Sequence, residues 1–277
     1  MDGSSKAKKI ACFSLTTANA GKLSDFYQKA FGCHIVETER VDGADFERLM
    51  GVQGGAVRTT LALGEQVVEL LQFDEPGRPY PKETSASDLI FQHFAIVVSD
   101  MAKAYAHLCA IPHWTPISLG GPQKLPLSSG GVTAFKFRDP EGHPLELLAF
   151  PENDVPVVWQ TSQAALYLGI DHSAISVSDV TASVAFYENL GFAVTSRSRN
   201  EGPAQQNLDG IQDVRVDVVA LAINRSTPHL ELLCYPANAS SSPPRLRNND
   251  SAATRIVLAG SDQRCLLDPD GHHVVFS

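Results

Sequence analysis

Apolar and polar residues alternate along this chain in short runs, and the runs recur in the same order. In FQHFAIVVSD, residues 91 to 100, Phe94, Ile96 and Val98 follow a period of two, as in a half-buried strand. The Ser-Asp pair that follows suits a helix N-cap, and the next segment places aromatic and aliphatic residues on one helical face. GIDHSAISVSDVTASVAFYENLGF, residues 169 to 192, repeats the order: histidine, alternating run, Ser-Asp, helix. ACFSLTTANAGKLSDFYQKAFGC fits the same template, with Asp25-Phe26-Tyr27 matching Ala185-Phe186-Tyr187. Cys12 lies 14 residues before Phe26, as His172 lies 14 before Phe186, so a cysteine stands at that histidine position. The helices end on glycine, which accepts a left-handed C-cap without strain.

The second halves repeat too. LALGEQVVELLQF (61 to 73) matches LAINRSTPHLELLCY (221 to 235), with Glu69 and Glu231 each followed by two leucines. Glu146, in PLELLAF, is a third instance. FKFRDPEGHPLELLAF (135 to 150) and LLDPDGHHVVFS (266 to 277) both run a strand into an Asp-Pro-acid-Gly turn and out into another strand. Seven residues after the first Asp, the former has Glu146 and the latter Val275.

The unit is thus a strand, a helix and two or three further strands. It occurs four times, over roughly 8 to 75, 90 to 150, 168 to 236 and 253 to 277. The last is too short for a helix and keeps only TRIVLAG, RCLL and HHVVFS as strands. PENDVPVVWQTSQAA reads as a linker, and PANASSSPPRLRNND (236 to 250) as an exposed, mobile loop.

Composition narrows the partners more than the fold. At 277 residues and 43% hydrophobic, the chain has material for two domains with packed cores. A net charge of −9 argues against a general nucleic-acid binder, and no apolar window is long enough for a transmembrane helix. The N-terminus lacks the apolar stretch of a signal peptide. Five scattered cysteines without a CxxC pair suggest a reducing, cytoplasmic setting rather than a disulfide framework or a cysteine zinc site.

Four βαβββ units, a histidine heading a first strand, and a closing Asp-Pro-acid-Gly-x-x-x-Glu resemble the vicinal oxygen chelate superfamily. Glyoxalase I, epimerases, extradiol dioxygenases and bleomycin resistance proteins belong to it. The resemblance implies an α+β fold in which tandem units pair into two cup-shaped mixed-sheet domains, the last unit shortened. It implies domains at 1–150 and 169–277, with 151–168 as linker. A cup in that family surrounds a divalent metal held from the first and last strands of each unit. The N-terminal pair of units then presents Cys12, Glu69, His93 and Glu146, and the C-terminal pair presents His172 and Glu231.

On this reading His93, Glu146 and Glu69 hold a divalent ion (Zn, Ni, Co, Mn or Fe), with open positions for water or substrate. Glu69 and Glu146 are the candidates for proton transfer in lyase or isomerase chemistry on a small oxygenated substrate. His172 and Glu231 form a possible vestigial site. Arg78, Tyr80 and Lys124, on two Pro- and Gly-rich loops, are the candidates for holding the substrate. Each residue also has a structural reading: His93 heading a strand, the glutamates pointing outward, Cys12 as a small buried side chain, the loop residues solvated. His143, His272 and His273, beside the turns, read as surface residues. Two functional alternatives stay open. One is a metal-free binding or resistance protein. The other is a dioxygenase, which needs a second histidine and so requires His172 to share a site outside its expected pair. The chain is expected to act as a monomer or homodimer.

Overall fold

In the computed structural model, residues 6–160, 165–236 and 245–277 are described. The first unit runs β1 (Ile10–Thr16), α1 (Ala20–Phe31), β2 (His34–Val41), α2 (Ala44–Met50), β3 (Ala56–Leu63) and β4 (Gln66–Phe73). The second has β5 (Gln92–Val98), α3 (Met101–Cys109), the two-residue β6 (Thr115–Pro116) and β7 (Gln123–Lys124), then β8 (Thr133–Arg138) and β9 (Pro144–Ala149). After the short α4 (Val157–Gln160), the third unit has β10 (Tyr167–Val177), α5 (Val180–Asn189), β11 (Ala193–Glu201), α6 (Pro203–Asp209), β12 (Arg215–Ala222) and β13 (His229–Cys234). The fourth keeps only β14 (Arg255–Leu258), β15 (Arg264–Leu267) and β16 (His273–Phe276).

Local signals set these elements. Asn19 caps α1 by accepting from the Lys22 amide, and Gly32 ends it at φ 69°, a left-handed conformation cheap only for glycine. Leu23, Phe26, Tyr27, Ala30 and Phe31 form its buried face. Asp100 and Asp179 cap α3 and α5 in the same way.

Two mixed sheets result, and their composition differs from the expected pairing. One has the order β15-β16-β14-β1-β4-β3-β2, joining the first unit to the fourth. The other runs β11-β12-β13-β10-β5-β9-β8-β6 and joins the second unit to the third. Each sheet therefore draws on both halves of the chain. The first strands pair antiparallel, β10 on β5 and β1 on β14. Either pairing satisfies the same alternating pattern, so the pattern cannot choose between them.

The two sheets share one core, in which Phe13 stacks on Phe94 and Tyr27, Phe31 and Phe137 pack around them. The repeated turn ties successive units across it. His143 Nδ1 lies 2.8 Å from Asp139 Oδ2, and its Nε2 lies 2.9 Å from the Thr16 carbonyl oxygen. Asp139 also accepts from the Tyr27 hydroxyl, while Glu141 accepts from the amides of Ala18 and Asn19. In the other copy, His272 Nε2 lies 2.9 Å from the Ser176 carbonyl, Asp268 accepts from Tyr187, and Asp270 accepts from the Ser178 amide. The repeated Asp-Pro-acid-Gly-His is a clasp between units. His143, His272 and His273 are accordingly buried, where surface positions were expected.

The loop reading of 236 to 250 changes as well. Residues 237–244 lie outside the described residues, but Asn248, Asn249 and Asp250 are buried. Asp250 accepts from the Arg78 amide (2.7 Å), the Arg78 guanidinium (2.6 Å) and the Arg247 amide (2.9 Å). Burial opposes its charge, yet these donors bring its pKa down to about 2. A depressed pKa contributes stability above the unfolded value of about 4, lost as pH falls through the folded value. Amides from Arg247 to Ser251 should therefore lose exchange protection between about pH 4 and about pH 2. Arg78→Ala should bring on that loss at a higher pH. Unchanged protection in the variant would show that Arg78 does not hold this segment.

Candidate functional site

Because β5 pairs with β10, the register sets Ala174 opposite His93 and His172 opposite Ala95. β9 runs parallel to β5 with Glu146 beside Ala95, and β13 runs parallel to β10 with Glu231 beside Ala174. Four side chains from four neighbouring strands therefore meet in one cup. His93 Nε2 lies 3.0 Å from Glu146 Oε2, and His172 Nε2 lies 3.6 Å from both Glu146 Oε2 and Glu231 Oε2. One ligand atom each from His93, Glu146 and His172 falls within 4.8 Å of the others.

The expected set is thus divided. Glu146 and His93 come together with His172 and Glu231, the pair read as vestigial. Glu69 lines the cup of the other sheet with Cys12. Cys12 is buried, and its thiol is pushed well above the ordinary value by burial and by Glu69, which leaves it a poor metal ligand. Arg78 is paired with Asp250. Tyr80 is buried edge-on against His143, with Arg138 over its ring. Lys124 is exposed on β7, outside the residues lining the cup.

Other residues complete the site. Asp171 Oδ2 lies 3.0 Å from His172 Nδ1, fixing the ring so that Nε2 faces the cup. Asp171 also accepts from the Trp159 indole N–H, so the segment read as linker reaches the site. Residues 161–164 of that segment lie outside the described residues. His229 stands between Asp171 (3.7 Å) and Glu231 (3.6 Å). Lys136, opposite Glu146 on β8, is buried and donates to Asp209 Oδ1 at 2.7 Å. Asp209 also accepts from Gln205 and Tyr235. Two of these had a sequence signal. His229 is two residues before Glu231 and Lys136 sits between two phenylalanines, so alternation puts both on the cup side. Asp171 had none, because neighbours on a regular strand face opposite ways. A register shift between Ile170 and His172 breaks that rule.

Charge in the cup is unbalanced toward the negative. Burial disfavours the charge on Glu146, yet hydrogen bonds from His172 and His93 hold its pKa well below the usual range. Burial likewise opposes charge on His172, but Glu231, Asp171 and Glu146 push its pKa well above normal. For His93 burial wins and the pKa falls. Lys136 is kept charged by Asp209 despite its burial. Glu146, Glu231 and Asp171 therefore surround the imidazoles of His93, His172 and His229, and the nearby Lys136 ammonium is already bound to Asp209. Imidazole nitrogen and carboxylate oxygen suit a borderline divalent ion, and the donor set fits one. The cavity measures about 440 Å³, with Leu125, Leu148, Val216 and Val218 on its walls and Ser196, Arg197 and Asn200 also lining it.

Structural likeness agrees with this architecture. Glyoxalase I from Zea mays is 16% identical, with a TM-score of 0.60 over 97% of this chain and 91% of that one. A putative dioxygenase from Bacillus subtilis is 11% identical, with a TM-score of 0.59 over 98% and 85%. At such identities the likeness concerns the fold. Among curated proteins no sequence matches. The profile of the Glyoxalase/Bleomycin resistance protein/Dioxygenase superfamily matches residues 9–147 and 169–277, nearly the whole length over which the repeat was read. With the repeat, the two mixed sheets and the profile in agreement, the chain belongs to the glyoxalase/bleomycin resistance protein/dioxygenase superfamily.

Proposed function

We propose that this protein is a glyoxalase-like, metal-dependent enzyme that moves a proton at a carbon next to a carbonyl in a small oxygenated substrate. The supporting observation is the convergence of His93, Glu146 and His172 within 4.8 Å, with Glu231 3.6 Å from His172. His93, Glu146 and His172 would hold the divalent ion, with Glu231 beside them. Bound there, it would polarise the substrate carbonyl and offset the negative charge that develops on its oxygen.

The remaining work falls to side chains. Glu231 is the most exposed of the four, at 24% for its side chain, and is the base that takes the proton from carbon and returns it. Burial opposes its charge, but His172 and His229 hold its pKa below the ordinary value, so it is a carboxylate at neutral pH. Asp171 orients His172, and the leucines and valines of the wall limit water around the reacting carbon. Glu69, in the other cup, has no part in this step. Lyase or isomerase outcomes both follow from such a transfer.

A second reading, dioxygenase, is supported by a specific feature. His93, His172 and Glu146 make a trio of two histidines and one carboxylate, a donor set that non-haem iron oxygenases use. Metal content of protein purified without added ions, alongside His93→Ala, tests the shared premise. Near-stoichiometric metal, lost in the variant, is expected. No metal even after reconstitution overturns it in favour of a metal-free binding protein. Glu231→Gln separates the two enzymes: it should retain metal yet lose exchange of the α-proton of dihydroxyacetone in D₂O. Catechol-dependent oxygen uptake that survives Glu231→Gln would sink the proton-transfer reading.

A further inference from the structure

The first and fourth units build a second cup, and its register matches the first. Cys12 pairs with Val257 as His172 pairs with Ala95, and Ser14 pairs with Arg255 as Ala174 pairs with His93. Glu69 lies beside Ser14 as Glu231 lies beside Ala174, and Val275 lies beside Val257 as Glu146 lies beside Ala95. The places of His172, His93, Glu231 and Glu146 are therefore taken by Cys12, Arg255, Glu69 and Val275. One of the metal-ligand places now carries a fixed cation.

Arg255 is fully buried. Its Nη1 donates to Thr16 Oγ1 (2.9 Å) and to the Asn248 carbonyl (2.8 Å), and its Nε donates to Ser14 Oγ (3.3 Å). Its Nη2 has no acceptor. All of its partners are neutral, and among the described residues no carboxylate lies within ion-pair distance of it. Arg58 and Arg40, which line the same cup, are by contrast paired with Glu39 and with Asp74. A buried guanidinium whose hydrogen-bond partners are all neutral keeps a desolvation penalty that a directly paired anion would offset. Burial lowers its pKa to about 10 even though the more distant Glu69 carboxylate pulls the other way, and it stays charged at neutral pH.

We propose that the second cup is a binding site for a small organic carboxylate, with Arg255 as the charge that holds it. The cup has a volume of about 600 Å³. Phe46, Leu49, Met50, Val67, Leu71 and Val275 give it apolar walls, which fit the hydrocarbon body of a monocarboxylate better than a bare inorganic ion. Guanidinium geometry matches a carboxylate, and the free Nη2 is the donor left for it. This site is independent of the chemistry proposed for the first cup.

The test is calorimetric titration with sodium hexanoate at constant ionic strength, with inorganic phosphate as the comparison. Wild type and His93→Ala should bind hexanoate equally, which separates the second cup from the first. Arg255→Met should bind at least about tenfold more weakly, as expected for losing a charged hydrogen bond. Val67→Trp, which fills the cup from a half-buried position and leaves Arg255 in place, should also abolish binding, and it serves if Arg255→Met does not fold. Hexanoate binding lost in both cup variants and kept in His93→Ala supports the site. No binding to wild type, binding unchanged by Val67→Trp, or phosphate binding in preference to hexanoate overturns it.

Discussion

Lys136→Met should lower the stability of this protein by about 3–5 kcal/mol, the range for removing one partner of a buried ion pair. The ammonium and the Asp209 carboxylate are 2.7 Å apart, with side-chain exposures of 4% and 0%. In the variant Asp209 keeps only Gln205 and Tyr235 as donors, so a carboxylate is left buried without a cation. At 2–4 °C per kcal/mol for chains of this size, the melting point should drop by roughly 6–20 °C. Replacing both partners, Lys136→Met with Asp209→Leu, should recover most of the loss, because no unpaired charge remains. A double variant as unstable as the single one would mean that the wider network, not the charge pair, carries the effect. Metal content of the single variant is a second readout. Lys136 lines the cup but offers no ligand at neutral pH, so metal should be retained by the folded fraction.

Asp171→Asn should weaken metal binding about 10–100-fold without unfolding the protein, the usual effect of losing a carboxylate behind a metal-binding histidine. Asp171 holds His172 Nδ1 at 3.0 Å and so keeps the Nε2 lone pair facing the cup. An asparagine at that place can present its N–H₂ instead of an acceptor. The pH dependence gives a readout that mere loosening would not move. In the metal-free protein His172 has a raised pKa, since Glu231, Asp171 and Glu146 outweigh the effect of burial. Metal needs the deprotonated ring, so affinity should fall as pH drops below that pKa, about tenfold per unit for each proton released. Removing Asp171 removes part of the upward pull. The variant should therefore bind more weakly at high pH, with the acid-side fall beginning at a lower pH. A fall at the same pH as in wild type would rule out Asp171 as the group that tunes His172.

The same side chains show what a single chain of letters could reveal. The main strands and helices and two of their caps were legible because each rests on local signals: alternation at β5, Asp100 and Asp179 as caps, Gly32 as a stop. The internal repeat added the family resemblance and the strand positions that face the cups. His93, Glu146, His172 and Glu231 were all named from those positions. Which of them share a cup was not legible. The four units carry nearly the same pattern, and the antiparallel pairing of their first strands is equally compatible with either partner. The choice of β5 with β10, and of β1 with β14, goes with the packing of one core between the two sheets.

That choice moved Glu69 out of the expected site and brought His172 and Glu231 into it. The loop candidates behaved differently for a related reason. Arg78 and Tyr80 looked available because their surroundings are rich in proline and polar residues, but their partners, Asp250 and His143, lie 172 and 63 positions away in the chain. Such distant partners leave no trace in a local pattern.

By itself the sequence determined the repeated unit, its α+β character, the shortened fourth copy and the strand positions of His93, Glu146, His172, Glu231, Cys12 and Glu69, which face the cups. These follow from periodicities of two and of 3.6 residues, which are properties of neighbouring positions. Only the tertiary structure decided which cup gathers two histidines and two glutamates, that Asp171 joins them through a break in strand register, and that the other cup encloses an unpaired arginine. Those outcomes depend on contacts between residues far apart in the chain, and equivalent patterns in four units leave them open until the sheets have formed.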